Sequence, residues 1–296
     1  MRPRTARGLT AALIAATLAG CATPAPPPPA RGARAPAGGY LDVGLAAQAG
    51  AFEAYTRKAA AIDPAFSGPA EIGERLRTAA GYEPRQLEAS MIAYAALAAL
   101  QEPGFVAAVR ADRDLGRRIA AAPEAALRTP GASAAAARAN AALARRGEAL
   151  AGAGQRVRKA SYSVQHQPWS RAQVPNGPQR LAAVKQAAGY RAEPADRARL
   201  QAALAEGGRR SGATPVVTRG VAVAALTVLG QDRAARSLMQ EPRAGQCLRI
   251  AKLNFHQCLA AAGTHYEDIY CLGLHAMADP GQCVVDAARP TRRAGL

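Results

Sequence analysis

The run GQCLRIAKLNFHQCLAAAGTHYEDIYCLGLHAMADPGQC, residues 245–283, carries Cys247, Cys258, Cys271 and Cys283, four of the five cysteines in a chain of 296 residues. Residues 246–262 read as a helix. Eleven residues at 1.5 Å each put Cys247 and Cys258 on nearly one face but about 16 Å apart, beyond the Cα separation of about 7 Å that a disulfide can span. Each must therefore pair with a second element. Gly263 ends the first helix, and Thr264 with Glu267 has the spacing of a capping box, so a second helix starts at His265 and runs to about Ala278. Asp279-Pro280-Gly281 is expected to break it. Four cysteines allow three pairings. An antiparallel hairpin selects Cys258 with Cys271 beside the turn and Cys247 with Cys283 at the open end.

This hairpin is similar in topology to the twin-cysteine hairpins of the coiled-coil-helix-coiled-coil-helix family. That family places nine residues between cysteines, whereas the gaps here are ten and eleven, and no shared function follows. The same stretch resembles C-terminal segments of uncharacterised proteobacterial envelope proteins, a resemblance that brings no activity with it.

The redox setting needed for disulfides is signalled at the other end. Arg2, Arg4 and Arg7 precede an apolar run, Leu9 to Leu18, too short to span a bilayer as a mature helix, and Leu18-Ala19-Gly20-Cys21 follows. Residues 1 to 21 resemble the signal peptide and lipobox of bacterial lipoproteins. The resemblance implies cleavage before Cys21, a diacylglycerol on its thiol and a third acyl chain on its amine. Several chains anchor stably where one does not. Ala22, rather than an aspartate, implies delivery to the outer membrane, facing the periplasm, where thiols are oxidised. The expected partner of this end is thus the membrane, through lipidated Cys21.

Residues 21–39 carry Pro24, Pro26 to Pro29 and Pro36 with Ala, Gly, Arg31 and Arg34, and read as an extended tether reaching roughly 50 Å. From residue 40 onward alanine dominates, aromatic residues are 4% of the chain, and apolar positions recur at helical spacing, as in Tyr94, Leu97 and Leu100. Val221 to Leu229 reads as buried strand or buried helix, its alanines favouring helix. Pro64, Pro69, Pro84, Pro103, Pro123, Pro130, Pro194 and Pro242 mark helix starts or connections. The expected fold is all-α: a helical domain, with stacked helical hairpins as one arrangement, and a C-terminal disulfide-linked hairpin. The expected divisions are a leader over 1–20, the tether over 21–39, helices over 40–160 and 179–243 around an irregular stretch at 161–178, the hairpin over 244–288 and a tail over 289–296. Ser133 to Arg158, rich in Ala and Arg, reads as a partly solvated helix. A weak internal echo links Gly81-Tyr82-Glu83-Pro84 with Gly189-Tyr190 and Glu193-Pro194, and Ile92 to Leu97 with Val221 to Leu226.

Chemistry-bearing motifs are sparse. The chain holds no Gly-x-Ser-x-Gly elbow, His-Glu-x-x-His, phosphate-binding glycine loop or Cys-x-x-Cys pair. Glu88-Ala89-Ser90 resembles, in two residues, the glutamate-serine pair of lytic transglycosylases, but a surface glutamate is the simpler expectation. His166 and Trp169 could line a sugar or peptide groove, or Trp169 could pin its loop to the helices. His256, His265 and His275 lie among the cysteines, and Cys271 with His275 has the one-turn spacing of zinc ligands. Oxidised cysteines do not ligate, so no metal and no cofactor is expected. Formal charge is +17, and subtracting the three charges of Arg2, Arg4 and Arg7 leaves +14. In the envelope such a surface faces anionic lipid, lipopolysaccharide or wall polymers rather than nucleic acid. Arg110, Arg113, Arg117, Arg118, Arg145 and Arg146 could equally be a solvated face. The expected function is a non-enzymatic envelope scaffold or interaction lipoprotein with a protein or cell-wall partner. A module binding or acting on peptidoglycan comes second, and a metal-binding envelope protein third.

Overall fold

A computed structural model describes residues 43–187, 189–205 and 212–289. Among them the fold is all-α and 79% helical, without a strand. The helices are α1 (Val43–Ala60), α2 (Pro69–Ala80), α3 (Pro84–Ala99), α4 (Pro103–Ala111), α5 (Leu115–Ala121), α6 (Ala132–Val164), α7 (Pro168–Arg171), α8 (Gly177–Gln186), α9 (Pro194–Leu204), α10 (Pro215–Val228), α11 (Asp232–Ser237), α12 (Pro242–Ala261), α13 (His265–Cys271) and α14 (Asp279–Ala288), with a 3₁₀ turn at Pro123–Arg128 and a π-helical stretch at Leu272–Ala278. Pro69, Pro84, Pro103, Pro194 and Pro242 each open a helix, where a missing N–H costs nothing. The Val221 to Leu226 segment is buried helix within α10.

Small residues govern the packing. α3 and α10 are buried along most of their length and cross at Gly220, where a Cβ would lie 2.6 Å from Ala95 Cβ. The echo segments Ile92 to Leu97 and Val221 to Leu226 therefore lie on two helices that pack together. The two Gly-Tyr segments also meet: Tyr190 lies so close to Gly81 that a Cβ there would be 2.9 Å from its ring, and its hydroxyl donates to Thr78 O. Tyr55 packs between Tyr82 and Tyr190, with ring centroids 5.1 and 5.4 Å away.

The expected solvated helix is instead the pillar of the molecule. α6 buries Ala135, Ala139, Ala142, Leu143, Gly147, Leu150, Ala153, Gly154 and Val157 against α1, α3 and the α13–α14 arm. Its few large apolar groups suggest exposure in the sequence, but they mark close approach of backbones. A Cβ on Gly154 would sit 2.4 Å from Ala278 N, on Gly273 2.3 Å from Arg158 N, and on Gly281 2.5 Å from Ala151 N. α6 also continues to Val164, and α7 and the first two residues of α8 fall within the stretch expected to be irregular.

The hairpin forms as expected at its turn, with α12 ending at Ala261, α13 starting at His265 and Glu267 accepting from Gly263 N at 2.7 Å and Thr264 N at 2.9 Å. The expected break at Asp279-Pro280-Gly281 does not occur. The helix widens into the π-helical stretch, Asp279 N–H bonds Leu274 O five residues back, and Pro280 enters the first turn of the renewed α14 register. Disulfides join Cys247 to Cys283 and Cys258 to Cys271 with Cα separations of 5.8 and 5.6 Å, the pairing that the antiparallel geometry selects. Among the described residues no single helix is long and apolar enough to cross a membrane.

Candidate functional site

The lipidation residue Cys21, the tether arginines Arg31 and Arg34, and the tail from residue 290 lie outside the described residues. The remaining sequence candidates are placed as follows. Glu88 is buried, not a surface group: its Oε1 accepts from Glu241 N at the start of α12, and a Cβ on Gly245 would lie 2.5 Å from its Oε2. Burial raises its pKa, with the Glu241 amide and nearby Arg249 pulling the other way. The carboxylate thus occupies the positive end of a helix, which explains its burial without catalysis. Trp169 is half-buried against the core, pinning its loop, and exposed His166 lies 2.9 Å from the Gln167 amide.

The three hairpin histidines are dispersed. His275 Nδ1 lies 2.8 Å from Asp279 Oδ2, and the Cys271 sulfur is in its disulfide. His256 is depressed to about 4 by burial and then by Lys252 and Lys185, and burial followed by Arg180 lowers His265. Among the described residues no three His, Cys, Asp or Glu side chains converge on one point that could hold a metal.

The arginines expected as one solvated face divide. Arg117 pairs with Asp114 at 2.7 Å and Arg118 with Asp112 on the surface. Arg146 turns inward, its Nη2 2.5 Å from Glu53 Oε1, while Glu53 is fully buried. Tyr94 Oη joins them, 3.4 Å from both Glu53 Oε2 and Arg146 Nε. Burial raises the Glu53 pKa against the pull of Arg146, and pushes Tyr94 up to about 12. Two more buried acids carry guanidinium partners. Asp196 meets Arg57 at 2.5 Å, and Asp268 takes two hydrogen bonds from Arg180 Nη1, at 2.7 and 2.6 Å. Arg180 Nη2 also donates to Leu259 O at 2.6 Å, so this pair ties α8 to the hairpin turn. Burial lifts Asp268 to about 7 despite Arg180. These acids brace helix crossings, and each crossing joins segments far apart in sequence.

Open recesses lie beside the two disulfides. Next to Cys247–Cys283 a cavity of 440 Å³ is lined by Thr214, Glu241, Arg243, Asp286 and Arg289. Ile250 lines a recess on another side of the same bridge, and Ile250 and Leu253 of α12 stand 48% and 54% exposed. Beside Cys258–Cys271 a groove of 330 Å³ runs between the end of α6 and α13. Tyr162, Tyr266 and Tyr270 form its walls, Tyr162 and Tyr270 edge to face with centroids 6.1 Å apart. These tyrosines went unnoticed in the sequence. The available signal was Tyr266 and Tyr270 at helical i, i+4 spacing in a chain so poor in aromatics.

Comparison with protein-family models, curated proteins and solved structures finds no match to this chain.

Proposed function

We propose that this chain is a lipid-anchored cell-envelope protein of scaffold or interaction type, non-enzymatic, held in the outer membrane through Cys21 with its helical domain facing the periplasm. The observation that carries the reading is the pair of disulfides closing the C-terminal hairpin, because such bonds persist in oxidising compartments and are rare where thiols are kept reduced. The lipobox-like run ending at Cys21 agrees with that compartment. The buried acids support a scaffold role: Glu53, Asp196 and Asp268 are each engaged by an arginine and Glu88 by the start of α12. The outward Ile250 and Leu253 offer contact surface on the clamped hairpin. In-cell crosslinking from a photoreactive residue replacing Leu253, followed by mass spectrometry, tests it. Capture of an envelope protein, lost when the label is moved to exposed Arg117, is the expected outcome. Crosslinks to cytoplasmic proteins would overturn the reading.

A peptidoglycan-binding module is the second reading, favoured by the tyrosine-walled groove beside Cys258–Cys271. Co-sedimentation of the protein with purified sacculi separates it from the first.

A further inference from the structure

The tyrosine-walled groove differs from the rest of the surface in three respects. Its lining includes no Lys or Arg, although the chain carries 38 basic against 21 acidic residues, and its one charged residue is Glu267, already held by Gly263 N and Thr264 N. A groove built for lipid phosphate or another polyanion would hold cations. Besides the disulfide, its only aliphatic lining residues are Ala261 and Ala262, so it lacks the deep apolar anchors that receive an amphipathic helix. Its walls are aromatic faces with polar edges. The hydroxyls of Tyr162, Tyr266 and Tyr270 and the Gln165 side-chain amide make no hydrogen bond to the described residues, and Tyr162 is 55% exposed. The other tyrosines of the described region are engaged inside: Tyr55, Tyr82 and Tyr94 are buried, and Tyr190 donates to Thr78 O.

We propose that this groove binds an uncharged glycan, a strand of hexose or N-acetylhexosamine rings. The apolar C–H face of a pyranose ring lies on a tyrosine face, and its rim hydroxyls or acetamido group take up the unpartnered phenols and the Gln165 amide. The Cys258–Cys271 bridge ties α12 to the helix that carries Tyr266 and Tyr270, while packing at Gly154 and Gly273 holds that arm against α6, which carries Tyr162. The proposal rests on the second, wall-binding reading and supplies its ligand class and residues.

The test uses the full chain in detergent micelles, titrated calorimetrically with the N-acetylglucosamine tetramer, with cellotetraose and with a decaproline peptide. The amino-sugar tetramer binds; Tyr162→Ala and Tyr270→Ala each weaken it by about tenfold or more, whereas Tyr162→Phe and Tyr266→Phe, which keep the ring, lose less. Tyr162 is exposed enough for its variant to keep the wild-type circular dichroism and melting temperature. Preference for the amino sugar assigns recognition of the acetamido group, which wall glycan carries, and equal binding of cellotetraose assigns hexose polymers in general. No saturable glycan binding, unaltered binding by Tyr162→Ala, or stronger binding of decaproline overturns the proposal. Sacculus binding without tetramer binding would place the wall contact elsewhere and leave the second reading intact.

Discussion

Two glycines two residues apart on α6 should respond oppositely to the same substitution. Either Gly→Ala change gains about 1 kcal/mol of helix propensity, because the backbone entropy of glycine is removed from the unfolded chain. At Gly152 the new Cβ meets nothing closer than Arg156 Nη1 at 3.6 Å, the far end of a flexible side chain. Gly152→Ala should therefore stabilise by nearly the full amount. At Gly154 the same atom would lie 2.4 Å from Ala278 N, 2.6 Å from Gly273 O and 2.8 Å from Ala278 Cα, all backbone. No rotamer change relieves that contact, so the α13–α14 arm must move away, at the upper end of the roughly 1–3 kcal/mol range for overpacking. The net effect is a loss of about 2 kcal/mol. At about 2–4 °C per kcal/mol for a domain of this size, Gly154→Ala should melt about 4–8 °C lower and Gly152→Ala about 2–4 °C higher than the wild type. Thermal unfolding followed by far-ultraviolet circular dichroism reads both. A rise in melting temperature for Gly154→Ala would refute the backbone-contact account of the α6 interface.

Other perturbations probe the hairpin and the buried charges. Replacing both members of a bridge by serine should cost about 3 kcal/mol for Cys258–Cys271 and about 4 kcal/mol for Cys247–Cys283, whose loop is longer, as read by urea unfolding; an inverted order would contradict the loop-closure reasoning. Arg146→Met leaves fully buried Glu53 without its cation and should destabilise by about 3 kcal/mol or more at pH 7. The loss should shrink as the pH is lowered, because Glu53, already raised by burial, takes up a proton sooner than an ordinary carboxylate; a pH-independent loss would show that Glu53 is not the cause. His256 has a folded pKa of about 4 against 6.5, so the native state binds fewer protons between those values and the contribution of this residue falls as pH drops from 6.5 to 4. Asp268, raised to about 7, acts in the opposite sense, so the readout is the difference between proteins: His256→Gln should lose less melting temperature over that interval than the wild type.

The hairpin was legible because its signals are local and metric. A rise of 1.5 Å per residue, the glycine stop at Gly263 and the Thr264–Glu267 cap leave one sensible pairing of Cys247, Cys258, Cys271 and Cys283. What escaped depends on partners distant in sequence. Gly147, Gly154 and the alanines of α6 look like a solvated helix until Gly273, Ala278 and Gly281 are brought against them. Pro280 looks like a break because the residues around it do not signal the π-helical register, with Asp279 N–H bonded to Leu274 O, that accommodates it. Arg146 and Glu53 are separated by 93 positions, and nothing in either local sequence distinguishes an inward guanidinium from its solvated neighbours. The tyrosine groove joins the end of α6 to α13 and exists only once the clamped arm is in place.

The most direct test of envelope anchoring combines acyl labelling and thiol trapping in one bacterial culture expressing the full chain. Fed an alkynyl palmitate, the wild type should carry the label in the membrane fraction, Cys21→Ala should not, and alkylation before reduction should find Cys247, Cys258, Cys271 and Cys283 all blocked in disulfides. An unlabelled wild-type protein with these four thiols free to alkylate would contradict the account.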